Sequence, residues 1–502
     1  MMELLADLAG GFAVVLTIEN LLFCFAGVAM GTFIGVLPGL GAMLGIALLL
    51  PVTYYLTPEA AIIMLAGIYY GGEYGGSIAA ILINVPGTPS SAVATIDGHA
   101  MTKQGRAAVA LFVSAVASFA AGSVGIVLMM LFSPLIADFA LSFGSVEYFA
   151  VLLLGLVGAA SVGRASVIKS QLAVILGVLF GTVGTDVSTG VQRFTFGFPE
   201  FITGISLVAL AMGIFGFAEI VSSTEGSAGA QGKARIRLRD MLPARGEIRA
   251  SFAPFRRGTA LGALLGALPG TGPTIASFMA YSLEKRVARD PTRFGDGAIE
   301  GLVAPESANN AAAQTAFIPT LTLGIPGTAT MALILGALII QGIQPGPRLM
   351  GENEELFWAL IASFWIGNLF LLVLNIPLVG LWVRLVRIPY RFLFPSIVCL
   401  ISLGVYSIEL NIFGVFVVVG TGIVGYAMRV SGIPAAPFLM GFILGPPMEE
   451  NLRRALMLAR GDFTVFVTSP ISAICVALAA VALAWPVASW SYHKLKYRAR
   501  AT

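Results

Sequence analysis

Apolar positions in this chain run in long blocks rather than in the short alternating or half-turn patterns of a soluble core. Ala107 to Ala137, Asn20 to Pro58 and Ser307 to Pro347 contain no Asp, Glu, Lys or Arg. A helix crosses a hydrocarbon core in about 20 residues. The first block therefore fits one crossing, whereas the other two are too long for one and are interrupted by Pro and Gly. Further apolar spans lie near Gly11–Met30, Ala60–Leu82, Phe149–Val162, Gln171–Val183 and Phe201–Val221. A second series follows near Gly258–Leu283, Met331–Ile343, Phe357–Val383, Phe392–Val405, Ile412–Tyr426, Pro434–Leu444 and Ile471–Trp490. The pattern predicts an all-α polytopic membrane protein with about 11 to 14 helical elements, on the length rule for spans.

Within these blocks one arrangement occurs twice. Gly27-x3-Gly31-x3-Gly35-x2-Pro38-Gly39-x-Gly41 returns as Gly258-x3-Gly262-x3-Gly266-x2-Pro269-Gly270-x-Gly272, at a constant offset of 231 (258 − 27, 269 − 38, 272 − 41). Downstream, Asn84-Val-Pro86-Gly87-Thr88-Pro89 is answered by Gly324-Ile-Pro326-Gly327-Thr328-Ala329, at an offset of 240 (326 − 86). Glycines four apart give a flat helix face, which alone is common packing glue. A Pro-Gly pair directly after that face removes a backbone donor and ends the helix. In hydrocarbon such a break survives only inside protein or against a wet cavity. Two copies predict two related halves meeting at a central site, with broken or re-entrant helices near the midplane.

Loop charges suggest how the halves are oriented. Ser222 to Arg257, rich in Arg, reads as a cytoplasmic linker between a first half (1–221) and a second half (258–502) that has an additional C-terminal helix. The loop after the first motif is neutral to acidic in half one (Tyr54 to Glu59) and basic in half two (Lys285, Arg286, Arg289, Arg293). The next loop is basic in half one (Lys103, Arg106) and acidic in half two (Glu352, Glu354, Glu355). Asp138 and Glu147 then face Arg384, Arg387 and Arg391, and Arg164 and Lys169 face Glu409. This exchange of sign is expected of inverted repeats.

Composition agrees with a membrane setting: the 502 residues are 57% hydrophobic and 11% charged, against about 25% charged in soluble domains. The net charge of +3 is spread over short loops and points to no nucleic-acid partner. The first residues are acidic, unlike a cleavable signal. Cys24, Cys399 and Cys475 stand alone, as do His99 and His493, so disulfide, zinc and thiol-catalysis readings find no cluster to rest on. No GxxxxGK[ST] string is present, and no enzyme activity is expected.

Candidate chemistry concentrates at the breaks. Thr88, Ser90 and Ser91, with Thr328 and Thr330, place hydroxyls beside the backbone amides freed at Pro86-Gly87 and Pro326-Gly327. A helix starting there aims N–H groups and its positive dipole end at a ligand, which suits a carboxylate. Pro38, Gly39, Gly41, Pro269, Gly270 and Gly272 are the expected helix-break and gating positions. Asn84, Asn309 and Asn310 are candidate polar contacts to substrate or cation. Glu73, in Tyr69-Tyr70-Gly71-Gly72-Glu73, and Glu306, in Pro305-Glu306-Ser-Ala-Asn309-Asn310, are candidates for a coupling ion, with Asn309 beside them. A wet interfacial position for both glutamates is the plainer alternative. Amide and carbonyl oxygens favour Na⁺, and a buried glutamate would permit H⁺.

These strings, together with Asp97-Gly98-His-Ala-Met101, Gly181-Thr182-Val-Gly184-Thr185-Asp186, Gly425-Tyr426-Ala-Met428-Arg429 and Leu444-Gly445-Pro446-Pro-Met-Glu449, resemble the large membrane subunit of the tripartite tricarboxylate transporters. The resemblance runs from about Gly27 to Pro470. It implies a multi-pass protein of the bacterial inner membrane that imports tricarboxylates such as citrate, or related organic acids, by symport with Na⁺ or H⁺ and without another cofactor. It also implies a small membrane subunit of about four helices and a periplasmic substrate-binding protein as partners. A stand-alone carboxylate carrier and a channel remain as alternatives.

Overall fold

The computed structural model describes residues 2–37, 40–161, 166–186, 188–218, 238–268, 270–385 and 390–498. Its architecture is helical, as the apolar blocks predict. The first half contains α1 (Met2–Val15), α2 (Ile18–Val36), α3 (Gly41–Thr53), α4 (Pro58–Ile83), α5 (Ala94–Lys103), α6 (Ala107–Ala140), α7 (Ser145–Ser161), α8 (Val167–Gly181) and α9 (Leu207–Ala211). A π-helical turn, Met212–Phe217, continues α9. The second half contains α10 (Arg245–Gly266), α11 (Gly272–Val287), α12 (Glu300–Thr315), α13 (Phe317–Thr322), α14 (Ala329–Ile340), α15 (Arg348–Glu352), α16 (Glu354–Asn375), α17 (Val379–Leu385), α18 (Tyr390–Glu409), α19 (Phe413–Val430), α20 (Ala435–Leu458), α21 (Val465–Thr468) and α22 (Pro470–Arg498). Among the described residues the sheet content is one two-residue antiparallel pair, Gly184–Thr185 (β1) with Gln192–Arg193 (β2). Among the described residues four helices, α2, α6, α16 and α19, are long and apolar enough to cross a membrane, and shorter apolar helices accompany them.

Three expectations about elements need revision. The span Gly11–Met30 is two helices, parted at Leu16 and Thr17 without a Gly or Pro to signal it. The span Gly258–Leu283 is likewise two, because the chain breaks between Gly266 and Gly272. The basic segment drawn as linker to Arg257 is helical from Arg245, where Glu247 accepts the Ala244 N–H at 2.9 Å and caps the first turn.

The two glycine faces explain the core. A Cβ at Gly27, Gly31 or Gly35 would strike the carbonyl oxygens of Met64, Ile68 and Gly72 on α4. A Cβ at Gly258, Gly262 or Gly266 would strike those of Ala304, Ala308 and Ala312 on α12. So α2 lies backbone-to-backbone on α4, and α10 lies in the same way on α12. The struck carbonyls are 240 positions apart (304 − 64, 308 − 68, 312 − 72), the same offset as the second pair of breaks. In this register Tyr69 corresponds to Asn309, Tyr70 to Asn310 and Glu73 to Ala313. Glu306 corresponds to Ala66, so the two glutamates are not counterparts in this register.

Both α4 and α12 are buried along nearly their whole length, α12 with Glu306, Asn309, Asn310 and Gln314 inside. Thr57, accepting the Ala60 N–H, and Pro58 at the first helical position start α4. One carboxylate ties the two halves together. Asp97 of α5 is fully buried; its Oδ1 accepts the N–H groups of Gly295, Gly297 and Ala298 at 2.8–2.9 Å, and its Oδ2 accepts the Tyr281 hydroxyl at 3.0 Å.

Candidate functional site

At the second pair of Pro-Gly segments the helices on either side are separate elements. Helix α4 stops at Asn84, whose backbone is left-handed (φ 59°), and α13 is followed by Gly324 in the same region (φ 70°). Thr328 then caps α14, accepting the Met331 N–H at 3.1 Å. In the first half Thr88 and Ser91 make a tight local turn: the Ser91 hydroxyl donates to the Thr88 carbonyl at 2.8 Å and accepts the Thr88 N–H at 3.2 Å. For the first pair of breaks, Gly41 and Gly272 open α3 and α11 with positive φ (64° and 57°), and the Gly270 N–H (φ 85°) donates to Gly327 O at 3.0 Å. That bond joins the two breaks of the second half. Pro38, Gly39 and Pro269 lie outside the described residues.

Between the halves is a cavity of about 640 Å³. The first half contributes Leu40 to Leu44, Tyr69, Glu73 and Gly87 to Ser90; the second contributes Pro273, Thr274 and Thr328 to Thr330. Ile214 and Phe215 of the π turn, Ala218, Gly425, Arg429 and Gly432 to Ala436 complete the wall. Four helices of 12 residues or more begin on this cavity: α3, α11, α14 and α20. No side chain caps α3, α11 or α20. Their first N–H groups and positive dipole ends therefore converge on one space, alongside the guanidinium-bearing Arg429.

Glu73 also lines the cavity and is buried. Ser90 donates a hydrogen bond to its Oε2, and the Ser90 and Thr88 hydroxyls are 2.8 Å apart. The Asn309 side chain faces the same carboxyl. The Tyr69 hydroxyl is buried and unpartnered. Glu306 sits deeper, off the cavity. It accepts hydroxyls from Ser77 (2.9 Å), Ser114 (3.0 Å) and Ser118 (3.4 Å), while the Asn310 amide donates to Ser118 at 2.7 Å. Neither glutamate makes an ion pair with a described residue. Both are buried rather than wet and interfacial.

The structure thus brings Gly41, Glu73, Gly87, Thr88, Ser90, Thr328 and Thr330 onto one cavity. Pro86, Ser91, Pro326, Gly327, Gly270, Gly272, Asn309, Asn310 and Glu306 do not line it. Asn84 is exposed and away from the cavity. Sequence reasoning missed Tyr69, Thr274, Arg429 and the start of α20 as wall residues. The Tyr-Tyr pair inside a glycine-rich stretch, and an Arg closing an apolar helix, were the available signals.

Long apolar helices, with buried carboxylates and a largely apolar cavity carrying a few hydroxyls, describe a multi-pass helical membrane protein. The sequence profile described as "Tripartite tricarboxylate transporter TctA family" matches residues 21–440, and the chain belongs to that family. It is, accordingly, a subunit of a transporter. The chain is 49% identical over 486 residues to an uncharacterized 52.8 kDa protein in the TAR-I ttuC' 3' region of Agrobacterium vitis, covering 96% of this chain and 97% of that one. It is 56% identical over 225 residues to an uncharacterized protein in the TAR-II ttuC' 3' region of the same organism, covering 43% of this chain and 93% of that one. No solved structure matches.

Proposed function

We propose that this chain is the large permease subunit of a secondary transporter that imports tricarboxylates or related organic acids. The observation that carries this reading is the convergence of four helix N-termini and Arg429 on one cavity built from both halves. A carboxylate is held there by backbone N–H groups with the hydroxyls of Thr328 and Thr330, while Thr88 and Ser90, whose protons serve each other and Glu73, shape the wall beside it. Asn309 faces Glu73, Asn310 bonds Ser118, and Asn84 acts as a helix stop. The halves (1–221 and 258–502, joined by 222–257) are inverted repeats with the breaks near the midplane, supported by the duplicated helix pairs and by the exchange of loop charge. Family membership supports a small membrane subunit of about four helices and a periplasmic binding protein as partners, in the bacterial inner membrane. A Na⁺ or H⁺ gradient drives import.

The test is uptake of labelled citrate into vesicles that contain this chain and its small partner, under an imposed gradient, with and without the binding protein. Accumulation that needs both binding protein and gradient is the expected result. Accumulation without the binding protein makes this chain a stand-alone carrier, and flux that only equilibrates makes it a channel.

A further inference from the structure

An exposed apolar surface lies outside the crossing helices. The hairpin of β1 and β2 leads into Phe194-Thr-Phe196-Gly-Phe198, a stretch with no charged residue. Phe194 and Phe196 hold left-handed backbone, with φ of 51° and 50°, yet they are 49% and 78% exposed. For a bulky side chain this backbone is rare and strained. Burial within the chain does not offset the strain, so the rings find their surroundings outside it.

Two contacts place this tip at the edge of the membrane-crossing region. The rings of Phe198 and Phe201 pack on Phe413, with centroids 5.9 and 5.1 Å apart, and Phe413 opens α19. Leu410 and Ile412, just before it, are exposed, and Phe416 and Ile423 continue the exposed apolar surface along α19. The loop between α3 and α4 meets the same turn: Tyr54 and Tyr55 are exposed, and the Tyr55 hydroxyl donates to Ser407 O at 2.5 Å. The charges of the hairpin stay at its base, where Asp186 and Arg193 form a closed set of ion pairs with Glu449 and Arg453 of α20.

We propose that this hairpin is a membrane anchor, with the Phe194, Phe196 and Phe198 rings sunk in the boundary between lipid headgroups and acyl chains around the start of α19. Large exposed apolar patches mark protein or membrane contacts. Lipid is the occupant here because the rings are continuous with the outer surface of α19, so a leaflet that surrounds α19 covers them as well. Uncharged aromatic side chains beside tyrosines, with polar and charged groups behind them, suit that boundary. Through the four charges the anchor also holds α20, whose first residues form part of the cavity wall. The anchor goes beyond the transport reading and needs only that α19 crosses a membrane.

The test uses the full-length chain with Cys399→Ser, carrying a nitroxide at Phe196→Cys and reconstituted in phosphatidylcholine–phosphatidylglycerol vesicles. Collision of the label with oxygen, which partitions into lipid, is compared with collision with a water-soluble nickel chelate. Phe416→Cys on α19 is the lipid standard, and Lys285→Cys, exposed and in a basic loop, is the water standard. The nickel-to-oxygen ratio at 196 is expected to fall severalfold below that at 285 and close to that at 416. Phe198→Cys gives the same readout if the first variant fails to fold. A ratio at 196 equal to that at 285 overturns the anchor and leaves the tip free for a soluble partner. Low collision with both reagents overturns it as well, because protein rather than lipid then covers the tip.

Discussion

Asn84 and Gly324, 240 positions apart, hold the same left-handed backbone, with φ of 59° and 70°, at the ends of α4 and α13. They look unrelated as letters, but only Gly, and to a lesser degree Asn, adopts this conformation readily. Asn84→Gly is therefore expected to fold normally. Gly324→Ala and Asn84→Val should each cost about 1–2 kcal/mol, read as a lowered unfolding midpoint of the purified protein. Loss of stability confined to one of the two sites would mean the breaks are not built alike.

The glycine faces should be intolerant even of a methyl group. Gly31→Ala drives a Cβ into the Ile68 carbonyl, and Gly262→Ala does so at Ala308. Each is expected to cost about 2–3 kcal/mol by overpacking, with lowered accumulation in the membrane. Gly420→Ala, where nothing lies within 4 Å, should be neutral within about 0.5 kcal/mol. Equal tolerance at all three would contradict backbone-to-backbone packing.

The cavity wall should govern affinity rather than stability. Thr330→Val removes a hydroxyl, and Arg429→Gln a charge, from the wall of the cavity. Such contacts are worth about 1.5–3 kcal/mol, or roughly tenfold or more in apparent KM for uptake. Ser91→Ala breaks only the local turn with Thr88, and is expected to lower the melting temperature while leaving KM within about twofold.

A further outcome concerns the short hairpin outside the helices. Asp186 accepts the Ser188 N–H at 2.9 Å and the Thr189 hydroxyl at 2.8 Å, and it pairs with Arg193 at 2.8 Å and Arg453 at 3.1 Å. These partners, the backbone bond first, hold its carboxyl at about 2. Because the folded value is depressed, the contribution is complete above the ordinary carboxylate range and is lost as pH falls through about 2. A spin label at position 196 should report an unchanged hairpin from neutral pH down to about 4, and loosening below that. Asp186→Asn should give the loosened spectrum already at neutral pH.

Much of this was readable because glycine and proline act locally. The duplicated breaks and the hydroxyls beside them could be placed from spacing alone, and Thr88, Ser90, Thr328 and Thr330 do share a cavity. What escaped depends on contacts between distant segments. The correspondence of Tyr69 with Asn309 follows only from which carbonyls the glycines touch. Arg429 and the start of α20 reach the wall from late in the chain, with no motif linking them to the breaks. The parting of α1 from α2 at Leu16 and Thr17 involves no helix-breaking residue, so composition was silent there.

The contact of α2 with α4, and of α10 with α12, has a consequence for how such a chain can diversify. Where main chain meets main chain there is no rotamer to adjust and no side chain to trade, so these seams are closed to gradual substitution. The cavity wall is made of other side chains, hydroxyls, apolar residues, Tyr69, Glu73 and Arg429, where exchanges change shape without disturbing the seams. One rigid frame can thus be refitted to acids of different length and charge by altering a handful of letters that carry none of its weight.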